Sequence, residues 1–320
     1  MYMHVVKPKW LVSVAMCLFL ALPFLTPYQA LATEMIIFAI FAIGYDIIFG
    51  YTGLLSFGHA MFFGVGAYGM GLVLTRWTPS LFLGFLVSIV LALLLALVVG
   101  FLSIRRRGIY FVMVTLAFCQ MLYFIAFKWT SLTGGDNGLH GVPRPLIGPF
   151  DLNSETVYYY FVLAIFGLCV LLAFRIVNSP FGKVLQSLRQ NEDRARSIGY
   201  NTDNFKIISF MISGLFSALA GGLYAVHLNF VPLDSLSIST SGDIVIMTLV
   251  GGAGTLYGPI FGAMLIVYMR NLLSAWFENW NLLMGLLFIC CVLTLRKGIL
   301  PALKERLWEK IYQVDAGRAN

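Results

Sequence analysis

His59 lies seven residues beyond Thr52 and three beyond Ser56, in the run GYTGLLSFGHA. A histidine beside hydroxyls has the chemistry of a gate or proton relay, because its ring both donates and accepts hydrogen bonds. A lone histidine is more often simply hydrogen-bonded, and that reading is adopted. Nothing else in the sequence assembles a reaction centre. There is no H-E-x-x-H, no G-x-x-x-x-G-K-[ST], and no serine/histidine or paired-aspartate set. Cys17, Cys119, Cys169, Cys290 and Cys291 lie inside apolar runs and form no C-x-x-C pair, so neither a disulfide framework nor a metal site is expected. No catalytic residue and no cofactor is expected.

The elements that hold these residues must be membrane helices. Of 320 residues, 60% are hydrophobic and 11% charged, and the mean hydropathy is +0.88. Soluble domains carry about 25% charged residues. Apolar segments fall at 11–31, 35–50, 58–76, 80–103, 109–128, 157–176, 205–229, 240–252, 255–275 and 279–296. Strand-period alternation is absent, which argues against a barrel. The fold expected is all-α: a polytopic transmembrane bundle of 8–10 spans, some short or broken, forming one domain over residues 1–320. The run 10–25, after Lys7 and Lys9, is read as a retained first span, although Ala30-Leu31-Ala32 resembles a signal-peptidase site.

Positive charge orients the bundle. Lys7/Lys9, Arg105-Arg106-Arg107, the segment from Arg175 to Lys206 and the tail from Arg296 are the basic clusters, and span counting places all four on the cytoplasmic side. Both termini are therefore expected inside. The net charge of +7 follows from this loop bias, and no nucleic acid is expected as a partner. The loops at 129–156 and 229–242 face outside. Trp77, Trp129, Trp276 and Trp280 lie near span ends, as interfacial anchors do.

One cytoplasmic stretch, SPFGKVLQSLRQNEDRARSIGYNTDNFK at 179–206, carries eight charges. At a bilayer centre each would cost about 2.5–3.5 kcal/mol, so the segment lies outside the membrane. It reads as one helix, with Ser179 as N-cap, Pro180 in the first turn and Gly199 as the stop. Leu185, Leu188, Ala195 and Ile198 are expected on one buried face. Acids interleaved with arginines suit a protein partner better than a lipid surface.

Two glycine clusters, Gly50-Tyr51-Thr52-Gly53 and GGAGTLYGP at 251–259, break helices. Broken helices are where transporters often place a substrate path. Thr52, Gly53, Ser56, Gly58, His59, Thr255, Tyr257, Gly258 and Pro259 are its candidate residues. The remaining glycines, among them Gly64, Gly66, Gly69 and Gly71, are read as close helix packing. Asp46, near the inner interface with a lysine or arginine as partner, and Asp243, at the outer start of segment 240–252, are each expected to be interfacial or capping carboxylates rather than ion-coupling sites.

Asp193-Arg194-Ala195-x-x-x-Gly199 resembles the E-A-A-x-x-x-G loop of bacterial ABC-importer permeases, with Asp for Glu and Arg for the first Ala. GYTGLLSFGHAMFFGVGAY (50–68), LTGGDNGL (132–139) and GGAGTLYGPIFGA (251–263) resemble signatures of the branched-chain amino-acid (LivM-type) permeases, in order, from about residue 35 to 300. The resemblance implies a permease subunit of the bacterial inner membrane that does no chemistry itself. Its partners would be membrane lipid, a LivH-like second permease, two cytoplasmic ATPase subunits and a periplasmic solute-binding protein. It further implies a coupling segment at 179–204, with Leu188, Arg189, Glu192, Asp193, Arg194, Ala195, Arg196 and Gly199 meeting the ATPase. Thr133, Gly134, Gly135, Asp136 and Asn137 would meet the binding protein. The implied cargo is leucine, isoleucine, valine or a similar neutral amino acid, with urea or short amides as the alternative. An ion-coupled carrier would need intramembrane carboxylates, and the sequence offers no clearly central one.

Overall fold

The computed structural model describes residues 19–23, 26–105, 108–145 and 151–276, with 282–283, 285–286, 289 and 298–299. Helix α1 (Gln29–Asp46) runs into a π-helical turn at Ile47–Tyr51. It is apolar on every side, and 94% of its span window is buried by neighbouring helices. An all-round apolar helix belongs in the middle of a bundle, and α1 sits there against four others.

Helix α2 (Ala60–Leu72) has only thirteen residues and ends in a second π turn, Val73–Trp77. Helix α3 (Leu81–Ser103) buries Gly84, Ser88, Ala92, Ala96, Val99, Gly100 and Ser103 and exposes Phe82, Leu86, Leu94 and Leu97. Its small stripe lets α2 and the later helix Thr202–Leu228 approach closely, and its leucine side suits lipid. Helix α4 (Ile109–Lys128) leads into a single turn α5 (Thr130–Thr133), a 3₁₀ turn (Gly135–Asn137) and strand β1 (Leu139–His140). Helix α6 (Glu155–Asn178) follows. Next come the short helices α7 (Pro180–Gln190) and α8 (Glu192–Ser197), and then α9 (Thr202–Leu228). Strand β2 (Phe230–Val231) pairs antiparallel with β1, Leu139 opposite Val231. A 3₁₀ turn (Leu233–Leu236), helix α10 (Ile238–Gly251) and helix α11 (Tyr257–Trp276) close the described chain.

Six of these helices are long and apolar enough to cross a membrane. The chain is a polytopic helical membrane protein. At about 1.5 Å per residue, α2 and α10 are too short to cross a hydrocarbon core of about 30 Å alone, which fits the short, broken elements expected. The expected span 11–31 is corrected at its end: residues 26–28 bend, and Gln29 to Leu31 belong to α1. The expected span at 279–296 falls almost wholly outside the described residues.

The charged segment is also corrected. It is two helices, not one. Asn191 adopts φ −162°, and its side chain accepts the Arg194 N–H as the N-cap of α8. Ser179 caps α7 through the Gly182 N–H, as expected. The break resets the helical register, so Leu185, Leu188 and Ala195 are buried while Ile198 is 71% exposed.

Candidate functional site

The candidate path residues fall into two groups at different depths. The deeper group gathers where two broken helices begin. Ser213 lies near the middle of α9, and its Oγ is 2.8 Å from His59 Nε2. The Ala60 N–H, at the start of α2, donates to Ser241 Oγ in the first turn of α10 at 2.9 Å. Cys119, midway along α4, donates from Sγ to the Leu236 carbonyl at 3.3 Å and lies 3.9 Å from Ser241 Oγ. Ser56 Oγ accepts the Gly58 N–H, and its carbonyl accepts the Tyr45 hydroxyl at 3.1 Å. All these side chains are buried. Gly58 leaves no room for a side chain, because the Thr115 backbone occupies that place.

His59 is boxed edge-on by Tyr45, Phe62 and Phe210. The ring is hydrogen-bonded, in keeping with the adopted reading, but only on one side. Among the described residues its Nδ1 has no partner. The N-terminal turns of α2 and α10 meet beside it, so the site offers backbone donors, hydroxyls, a thiol and an imidazole, and no formal charge among them. Neutral polar recognition is what such a set can do.

The second group lies at the end of the bundle that carries the charged segment. Thr52 donates to the Ile47 carbonyl at 2.9 Å. Thr255 Oγ1 donates to the Gly252 carbonyl at 2.8 Å and accepts the Gly258 N–H at 3.0 Å, so it caps the start of α11. Pro259 is buried in the same turn and Tyr257 is exposed. Asp46 binds this loop instead of pairing only with a base. Its Oδ1 accepts the Gly254 N–H at 2.7 Å and its Oδ2 the Leu256 N–H at 3.3 Å. Arg189 Nη1 donates to the Gly50 carbonyl and lies where a side chain at Gly254 would stand. Gly53 stands at φ +81° with the Arg189 stem against it, a conformation and a proximity that favour glycine.

The charged segment divides into an inward and an outward side. Leu188 and Ala195 are buried against the bundle. Glu192, expected to face a partner, turns inward: its Oε1 lies 2.6 Å from the Lys206 ammonium. Arg196 joins Glu192, Thr202 and Asp203 and links α8 to α9. Arg189 reaches the glycine turns. Asp193, Arg194, Ile198, Gly199 and Tyr200 form the exposed side, beside an open hollow of about 430 Å³ lined by Arg196, Gly199, Tyr200, Asn201, Thr202 and Asp203.

At the opposite end of the bundle, Thr133 and Gly135 are buried supports, and Thr133 Oγ1 donates to the Ala126 carbonyl at 2.5 Å. Gly134 sits at φ +82°. Asp136 and Asn137 are the exposed members of this group. Arg76 Nη2 holds the loop by donating to the Ser131 and Leu132 carbonyls at 2.6 and 3.0 Å. Asp243 does not cap α10, since Ser237 does so by accepting the Thr240 N–H. Asp243 and Glu34 instead flank Arg270, at 3.3 and 2.9 Å. Sequence reasoning missed Ser213, Ser241 and Cys119. The spacing Ser209, Ser213, Ser217 on α9 was the available signal for one polar helix face.

A membrane bundle with broken helices meeting at a buried polar junction is the architecture of a membrane transport protein. Residues 28–292 match the family described as the branched-chain amino acid transport system permease component, and the chain belongs to that family. It is a transport subunit and not an enzyme. Among relatives, the high-affinity branched-chain amino acid permease protein LivM of Salmonella typhimurium is 28% identical over 98% of this chain and 80% of its own length. The Escherichia coli LivM protein is 28% identical over 94% of this chain and 77% of its own. An autoinducer 2 import system permease protein, LsrC of Yersinia pseudotuberculosis, is 28% identical over 62% of this chain and 58% of its own. No solved structure matches.

Proposed function

We propose that this chain is the translocation subunit of an ATP-driven importer in the bacterial inner membrane, carrying leucine, isoleucine, valine or a similar neutral amino acid. The observation that carries the reading is the two-sided segment α7–α8. One side is buried on the bundle and tied to its glycine turns, and the other presents Asp193, Arg194, Ile198, Gly199 and Tyr200 outward. An ATPase subunit seats on that outer side. A second, LivH-like permease completes the pore, and a periplasmic binding protein delivers cargo near Asp136 and Asn137. Ser56, His59, Ser213 and Ser241 line the central part of the route, and their lack of formal charge favours a neutral solute. Thr52, Gly53, Thr255, Tyr257, Gly258 and Pro259 form its cytoplasmic end.

The test is uptake of labelled leucine by vesicles holding the chain with the second permease, ATPase subunits and binding protein. Uptake that needs ATP and all four components supports the proposal. Uptake driven by an ion gradient without the ATPases would refute it. A binding protein that prefers urea or a short amide would replace the cargo and leave the importer reading in place.

A further inference from the structure

Asp46 is fully buried, and burying a carboxylate is costly unless it is paired and hydrogen-bonded. Its partners are two N–H groups of the 251–259 loop, more than two hundred residues away. The contact is close enough to dictate residue type. A side chain at Gly50 would collide with the Asp46 carboxylate and the Gly254 amide nitrogen, and one at Gly254 would collide with the Arg189 guanidinium. Leu256, which receives the second bond, is held at φ +60°, a left-handed conformation that costs a leucine energy. The loop is therefore held in a strained shape by Asp46, and Arg189 of the cytoplasmic segment lies across the same junction.

We propose that Asp46 and Arg189 form a latch joining α7 to both glycine turns, with Arg189 a positioning residue that transmits displacement of α7 to the cytoplasmic end of the route. In this role Arg189 acts on the permease and not on the ATPase surface. Withdrawal of the guanidinium removes the hydrogen bond to Gly50 and the group packed against Gly254, and the strained loop relaxes. The inference rests on the importer reading, because it takes movement of α7 as the input.

Hydrogen exchange followed by mass spectrometry on the detergent-solubilised chain tests the latch without any ATPase. Arg189→Ala and Asp46→Asn are expected to raise exchange at residues 252–258 by roughly tenfold or more, since Asp46→Asn takes the charge and one acceptor from the Gly254 and Leu256 N–H groups and Arg189→Ala removes the guanidinium packed against Gly254 and bonded to Gly50. Peptides from the middle of α9 should keep their protection, which shows that the variants are folded. Arg189→Lys retains a donor and a charge and should restore most of the protection. In the complete transporter, Arg189→Ala is expected to lower the ratio of solute carried to ATP hydrolysed by about tenfold. Unchanged exchange at 252–258 would overturn the latch, and so would raised exchange with an unchanged transport ratio. Loss of ATP dependence in the unaltered transporter would instead overturn the importer reading, whatever the exchange data show.

Discussion

Replacing Glu192 with alanine strands a cation. Lys206 Nζ lies 2.6 Å from Glu192 Oε1, and the two side chains are 5% and 20% exposed. Removing one partner of a buried pair costs about 3–5 kcal/mol, because the other charge is left without compensation. Glu192 keeps some solvent, and the Lys206 stem is long enough to carry its ammonium toward the cytoplasmic surface, so about 2–3 kcal/mol is expected. Arg196 moderates the loss further by retaining Asp203 at 3.4 Å. The measurement is chemical unfolding in mixed micelles for Glu192→Ala, Lys206→Met and the double variant, with exposed Lys183→Ala as control. The control should stay within about 0.5 kcal/mol of the parent. Glu192→Leu with Lys206→Met should be much closer to the parent than Glu192→Ala alone, since an apolar pair of similar size leaves no buried charge. A Glu192→Ala cost no larger than that of the control, or a pairwise coupling under about 0.5 kcal/mol, would refute the argument that this ion pair fastens α8 to α9.

Four further outcomes follow from the same geometry. Ser213→Ala removes the one hydrogen-bond partner that His59 Nε2 has among the described residues and should cost about 1–3 kcal/mol in the same unfolding assay. Gly66→Leu drives a side chain into the Ala218 backbone and should abolish a monodisperse peak on size-exclusion chromatography, whereas Gly242→Leu enters open space and should not. Arg76→Ala frees the Ser131 and Leu132 carbonyls and should speed hydrogen exchange around 131–138 without affecting α9. Asp193→Lys combined with Arg194→Glu inverts the exposed charge pattern of α8 and should weaken ATPase association about tenfold or more in a pull-down titration, with membrane insertion intact.

Span positions were legible because each helix must bury or expose an apolar stretch of bilayer length, and the eight segments from 35–50 to 255–275 match described helices within a few residues at most ends. The N-cap at Ser179 was legible for an equally local reason: a serine followed by proline opens a helix by accepting, through its side chain, an N–H three residues on. Asn191 was not read as a cap, since Asn-Glu-Asp-Arg also continues a helix by propensity. The break there became visible only with the Arg194 N–H on the Asn191 side chain.

Roles that depend on distant partners could not be read locally. Sequence placed Arg189 and Glu192 at a partner's surface, yet one reaches Gly50 and the other Lys206. Thr255 and His59 were grouped on one path, although the first caps α11 and the second packs among Tyr45, Phe62 and Phe210. By itself the sequence determined that this chain crosses a membrane and which glycines interrupt helices. These follow from transfer energies and backbone freedom, properties of single residues and short windows. Only the tertiary structure decided which glycines meet which backbone, that Asp46 holds a loop more than two hundred residues away, that Ser213 meets His59 and that Ser241 meets Ala60. Those contacts depend on how whole helices stack, and a short window of residues carries no record of its distant neighbours.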